Sequence, residues 1–139
     1  MRYLLDTHAV IWLLTKDSKL PKDILESVTY CEDDFCVSEM SLIEIVQLQQ
    51  GGRLDSVNRP EVVRKALVDI LNIRIEPVAD DVIGRFYDLP MPMTSKGKHS
   101  DPFDRLIIAT ALKRNLTLVS ADGKFPWYRD NCGLSLLQI

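Results

Sequence analysis

The sequence has no apolar run long enough to cross a bilayer. Stretches such as Ala9 to Leu14 and Leu106 to Ile108 fall far short of the roughly 20 residues that a membrane-spanning helix needs. Asp6 interrupts the apolar start and no small-residue cleavage site follows it, so no secretory signal and no membrane association is expected, and the cytosol (a cytoplasmic location) is the expected compartment. Cysteine is scarce as well. Cys31, Cys36 and Cys132 form an odd set with no CxxC pair and no histidine at zinc-ligand spacing, which argues against a zinc or disulfide framework and leaves ordinary reduced thiols. His8 and His99 match neither HxxxH nor HExxH, so they read as surface or loop histidines rather than as a metal ligand or general base. A basic excess is also missing, because 17 Lys and Arg stand against 20 Asp and Glu for a formal net charge of −3. Nucleic-acid binders usually carry the opposite balance, so a function directed at RNA would need bound cations to change the local sign. Low-complexity sequence, linkers and internal repeats are absent.

What remains is the composition of a folded domain. An apolar share of 46% and a charged share of 27% are ordinary for a globular chain, away from disordered or fibrous compositions. A length of 139 residues buries one real core and not two comfortable ones, so one domain over 1–139 is expected.

The pattern along the chain alternates between strand and helix. Arg2 to Leu5 reads as a strand that ends at Asp6, after which Ala9, Trp12 and Leu13 recur at helical spacing. Pro21 fits the first turn of a second helix carrying Ile24, Leu25 and Val28 towards Tyr30, and Phe35 to Val37 reads as a short strand. Ser38 or Ser41 can cap the next helix; Ser41 with Glu44 has capping-box spacing ahead of Ile45, Val46 and Leu48, and Gly51 and Gly52 end it. Pro60 opens a helix with Val63, Leu67, Ile70 and Leu71, followed by a strand around Ile73 and Ile75 and a shorter helix from about Asp80 to Tyr87. Residues 90–99 read as an exposed loop beside a site. Asp101 and Pro102 start a helix that runs through Ile108 and Leu112 to Asn115; Leu116 to Val119 is a strand, and Leu134 to Leu137 an edge strand. This order predicts an α/β fold with three layers, α/β/α, around a mainly parallel sheet of about five strands.

Ligands of such sheets bind where strands end and helices begin. Asp6 and Asp122 follow strands, while Asp104 and Glu44 are expected in the first turns of helices, so carboxylates far apart in sequence converge on one edge. Crowded carboxylates raise one another's pKa and call for a compensating cation, and hard divalent ions such as Mg²⁺ or Mn²⁺ take oxygen ligands. Each acid also has a plain structural reading. Asp6 can cap the first helix, Glu44 can complete a capping box, Asp122 before Gly123 can form a turn, and Asp101 before Pro102 can be a cap alone. Asp104 is harder to explain so, since it shares a helical stripe with Ile108, Ala111 and Leu112, and a carboxylate at the head of a buried stripe is costly unless paired or metal-bound. Helix caps alone also favour acids at that edge, so convergence by itself leaves both readings open. Thr7 and Ser120 are adjacent hydroxyls that can support the acids. Lys96, Lys98 and Arg105 stand near the expected rim as phosphate-holding or merely solvated charges, and Tyr3, Trp12 and Phe103 read as core rather than as base-stacking platforms.

Together the passages "YLLDTHAVIWLL", "VSEMSLIEI", "HSDPFDRLIIATAL" and "LTLVSAD" resemble the PIN-domain family and, within it, the VapC-type toxins of toxin–antitoxin pairs. The likeness runs through the whole chain in the family's order, and DTH with DPFDR is its most diagnostic part. It implies Mg²⁺ or Mn²⁺ ligands at Asp6, Glu44, Asp104 and Asp122, with Asp101 as an additional acid. It also implies endoribonuclease activity on structured RNA such as transfer RNA, a homodimer, and a cognate antitoxin whose extended tail blocks the pocket.

The expected function is therefore a metal-dependent endoribonuclease, with Arg105, Lys96 or Lys98 steadying the substrate. The rival from another class is a PIN-like module that holds RNA or protein without cutting. A phosphatase of the haloacid-dehalogenase type would want an Asp where His8 stands, and a phosphorelay receiver would want its Asp on a middle strand and a lysine late in the chain.

Overall fold

A computed structural model describes residues 1–55 and 57–139. Strands β1 (Arg2–Leu5), β2 (Asp34–Ser38), β3 (Arg74–Glu76), β6 (Thr117–Ser120) and β7 (Leu136–Gln138) form one sheet in the order β3-β2-β1-β6-β7, and every pairing in it is parallel. The expected α/β architecture with its five-stranded parallel sheet is thus the observed one. Helices α1 (Thr7–Thr15), α2 (Lys22–Thr29), α3 (Glu39–Gln50), α4 (Pro60–Lys65), α5 (Asp80–Asp88), α6 (Pro102–Arg114) and α7 (Pro126–Cys132) connect and cover it.

Alternation along each strand splits the core into two layers. Leu5, Val37 and Val119 point to the face packed by Ala9, Val10 and Leu13 of α1, by Ile24 and Val28 of α2, and by Val63 of α4. Leu4, Cys36 and Leu118 point to the other, against Ile107, Ile108 and Ala111 of α6 and Tyr128 of α7. Helix α5 packs on α6, which is why α6 is buried around most of its middle from Ile107 to Ala111.

Several elements differ from expectation. The helix begun at Pro60 gives way to a π turn over Ala66–Ile70, closed by the Leu71 N–H donating to the Ala66 carbonyl at 3.0 Å. The segment read as a loop over 90–99 contains a small antiparallel hairpin, β4 (Met93–Thr94) and β5 (Gly97–Lys98). Helix α7 is an element the sequence reading lacks. It has Pro126 in its first turn and Gly133 at its end with φ +72°, residues that commonly open and close helices. Its length of 7 residues is too short for a periodic pattern to emerge.

From β1 the chain moves outward to β2 and β3, then returns to lay β6 and β7 on the other side of β1. The strand order turns between β1 and β6, and the crevice at the carboxyl ends of such a pair is where open parallel sheets place ligands.

Candidate active site

Asp6 follows β1 at this turning point, and its backbone N–H still bonds across to Val119 of β6 at 3.1 Å. The side chain is 5% exposed. One oxygen accepts the Ala9 N–H at 2.9 Å and so caps α1; the other accepts the Ser120 hydroxyl at 2.5 Å. Burial raises its pKa, with the Ser120 and Ala9 bonds opposing that rise. The cap reading and the site reading of Asp6 are therefore compatible. Ser120 also accepts the Asp122 N–H at 3.0 Å, which ties the turn after β6 to Asp6.

Ser38 caps α3 by accepting the Met40 N–H at 3.1 Å. Ser41 therefore lies inside the helix, the Ser41–Glu44 capping box does not form, and Glu44 sits in the second turn rather than the first. The shift has a chemical consequence. Glu44 is not used on its own backbone; its Oε1 is buried without a hydrogen-bond partner, and burial raises its pKa, with Asp101 and Asp6 adding to the rise. Thr7, whose hydroxyl donates to Ser41 at 3.0 Å, lies near enough to offset part of that shift.

Asp101 caps α6 through the Phe103 N–H at 2.9 Å and the Asp104 N–H at 3.4 Å, and its side chain is exposed. Asp104 is half-buried at the head of the stripe continued by Ile108 and Ala111. Its carboxyl is pushed up to about 7, first by burial and then by the charges of Asp101 and Asp122. Asp122 takes the Lys124 ammonium at 2.9 Å and the Lys124 N–H at 2.8 Å, so it forms a turn while facing the cluster.

Ser120 ties Asp6 to Asp122, Asp101 caps the turn that carries Asp104, and Glu44 lines one cleft with Asp101, so the five acids are neighbours, and their charges raise the pKa values of Asp6, Glu44 and Asp104. Two clefts open on it, one of about 230 Å³ lined by Asp6, His8, Trp12, Ala121 and Asp122. The other, of about 190 Å³, is lined by Glu44, Gln47, Leu48, Arg53, Asp101 and Phe103. Trp12 and Phe103, expected in the core, are only partly buried and form cleft walls. A larger depression of about 420 Å³ includes Met1, Arg2, Asp33 and Asp34, at the amino ends of β1 and β2 and away from these acids.

The donor set is all oxygen, and the orphaned Glu44 Oε1 gives it a buried acceptor in need of a cation, so its chemistry fits Mg²⁺ or Mn²⁺. Among the described residues no group of three His, Cys, Asp or Glu is already arranged to hold an ion. A cation would have to draw these carboxylates together.

Two residues stand elsewhere than expected. Arg105 is not at the rim: it is 2% exposed and donates to the carbonyls of Leu89 at 2.8 Å and Pro90 at 2.9 Å, so its guanidinium is spent on the fold. The α6 face it occupies is covered by α5, with Phe86 5.6 Å from its guanidinium carbon. His99 is not a surface histidine; it is 5% exposed and contacts Asp104, because the hairpin folds it inward. Lys96 and Lys98 are exposed on that hairpin, and His8 is exposed on the Asp6 cleft. Sequence reasoning passed over Lys124, the cation paired with Asp122, whose only signal was its place two residues after a candidate acid.

No helix in the described residues is long and apolar enough to cross a membrane. No curated protein matches the chain. Among solved structures it is similar to VapBC2 from Rickettsia felis bound to a DNA fragment from the promoter, with a TM-score of 0.69, 22% identity, and 99% of this chain and 98% of that one covered. DNA-bound VapBC from Salmonella typhimurium is similar over the same shares, at a TM-score of 0.64 and 18% identity. So is VapBC-1 from nontypeable Haemophilus influenzae, at 0.63 and 20%. At such identities the likeness is one of fold. A description of the PIN domain fits residues 3–130, a span that includes all the acids of the cleft and stops short of β7, and on that match the chain belongs to the PIN domain family.

Proposed function

We propose that this chain is a metal-dependent endoribonuclease that hydrolyses RNA phosphodiester bonds and is the toxin of a toxin–antitoxin pair. The observation that carries the reading is the gathering of Asp6, Glu44, Asp104 and Asp122, with Asp101 beside them, around a buried and unpartnered Glu44 oxygen at the sheet's turning point. PIN domains are generally metal-dependent nucleases, and similar folds occur in toxin–antitoxin complexes, which supports an antitoxin partner; a homodimer and a cytoplasmic setting are further parts of the proposal.

The chain's own residues have distinct tasks. Asp6 is held at both oxygens by Ser120 and Ala9, so it is a fixed ligand rather than a swinging one. Glu44 and Asp104 supply oxygens that burial has made poor at staying ionised alone. Bound Mg²⁺ or Mn²⁺ supplies the positive charge that keeps these groups ionised, lowers the pKa of water, and offsets charge on the phosphate in an in-line displacement. Lys124 can exchange Asp122 for a phosphate oxygen, the role that Arg105 cannot fill from inside the fold, and Lys96 and Lys98 extend positive charge along the RNA, transfer RNA being the proposed class.

Incubation of defined RNA with purified protein and Mn²⁺ tests the reading. Wild type is expected to cut, and Glu44→Gln to be slower by about a hundredfold or more, the equivalent of losing several kcal/mol of charge stabilisation. RNA bound yet left intact by wild type would favour a non-cleaving RNA- or protein-binding module.

A further inference from the structure

A run of hydrogen bonds leads from the interior to Asp104. Arg105 donates from the same guanidinium nitrogen that serves Pro90 to the Tyr128 hydroxyl oxygen at 3.1 Å. Arginine has donors only, so at this contact Tyr128 must accept. The hydroxyl proton is then free to be given away, and His99 Nδ1 stands 2.9 Å from it. Were Nδ1 protonated, the hydroxyl would accept from both sides and its own buried proton would have no acceptor among the bonds at this site, so Nδ1 is the bare nitrogen and, in the neutral ring, Nε2 carries the proton. Nε2 lies 3.1 Å from Asp104 Oδ2. The ring is fixed from its other end by the His99 N–H, which donates to the Pro92 carbonyl at 2.8 Å, and by edge contact with the Tyr128 ring at a 5.8 Å centroid separation.

We propose that His99 is a positioning residue for Asp104, locked as the neutral Nε2–H tautomer by the one-way chain Arg105 to Tyr128 to His99, and that it aims the carboxylate at the cation. The role rests on the endoribonuclease reading above. A neutral donor is what the position requires, since it fixes the carboxylate's rotation without cancelling the charge that a cation needs, whereas a charged imidazolium would compete with that cation. The bond engages Oδ2 only and leaves Oδ1 for a ligand. The same chain fastens residues 89–99 to the site, because Arg105 also holds the Leu89 and Pro90 carbonyls.

Imidazole ¹⁵N spectra of the wild-type protein near neutral pH, with Mn²⁺ affinities by calorimetry for wild type, His99→Leu, His99→Gln and Tyr128→Phe, test this. The spectrum is expected to report His99 as neutral and protonated at Nε2, and Tyr128→Phe, which keeps the ring packing, is expected to mix the two tautomers. His99→Leu is expected to bind Mn²⁺ about 10- to 100-fold more weakly, as for other groups that orient ligands. His99→Gln, whose amide can still donate to Asp104, is expected to recover most of that loss. A wild-type ring protonated at Nδ1 or at both nitrogens overturns the proposal, as does wild-type Mn²⁺ affinity in folded His99→Leu or Tyr128→Phe with an unchanged tautomer. Failure of wild type itself to bind Mn²⁺ overturns the endoribonuclease reading and the role of His99 with it, whereas undiminished binding in His99→Leu overturns the role of His99 alone.

Discussion

Asp6, Glu44 and Asp104 are all held above the ordinary carboxyl pKa, and burial is the first cause in each case. Folding without a cation therefore favours their protonated forms. For Asp104 the stabilising contribution is complete below its unfolded value near 4 and is lost as pH rises through about 7. Asp104→Asn keeps an oxygen for His99 and has nothing to titrate, so metal-free variant and wild type are expected to differ least below pH 4 and to diverge, in the variant's favour, as pH rises from about 4 to about 7, with no further change above that. Melting temperatures measured in chelator check this, and a gap that does not change with pH would contradict it. Added Mn²⁺ should reverse the order, because ligand carboxyls bind in ionised form. At this scale the sequence was readable where a polar residue broke an apolar pattern, as Asp104 does. His99, Lys124 and Arg105 were not readable, because their roles depend on which way a turn or a helix face points: His99 is folded inward by a hairpin, and Arg105 is covered by a helix remote in sequence.

Among the elements, α6 joins the site to the fold. Its head carries Asp101 and Asp104, its first turn sends Arg105 inward to the carbonyls that end the α5 segment, and its middle is buried between the sheet and α5. Arg105→Lys keeps the charge but loses the fork that reaches Leu89, Pro90 and Tyr128 together. It is expected to cost about 2–3 kcal/mol, in the range for losing hydrogen bonds from a buried charged group, read as a lower urea midpoint. A variant of wild-type stability with weakened RNA affinity would instead restore Arg105 to the rim. Short apolar runs made most strands legible, alternation only that around Ile73 and Ile75, and proline with acidic or hydroxyl caps the longer helices. The start of α3 was not decidable between Ser38 and Ser41, since both are competent caps three residues apart and only the extended backbone at Ser38, φ −70° and ψ 142°, separates them. That choice moved Glu44 by nearly a turn and left its carboxylate free for the cleft.

At the scale of the molecule, a chain of net charge −3 concentrates acids at the one edge where the strand order turns. Such an edge repels a polyanion unless cations sit in it, so cation binding comes before RNA cleavage in this account. The most direct test is calorimetric titration of Mn²⁺ into wild type and Asp104→Asn, with cleavage of the same RNA by both samples. Wild type is expected to bind Mn²⁺ and cut, while Asp104→Asn is expected to keep its fold and lose both. Wild type that binds no Mn²⁺, or Asp104→Asn that cuts at the wild-type rate, would contradict it.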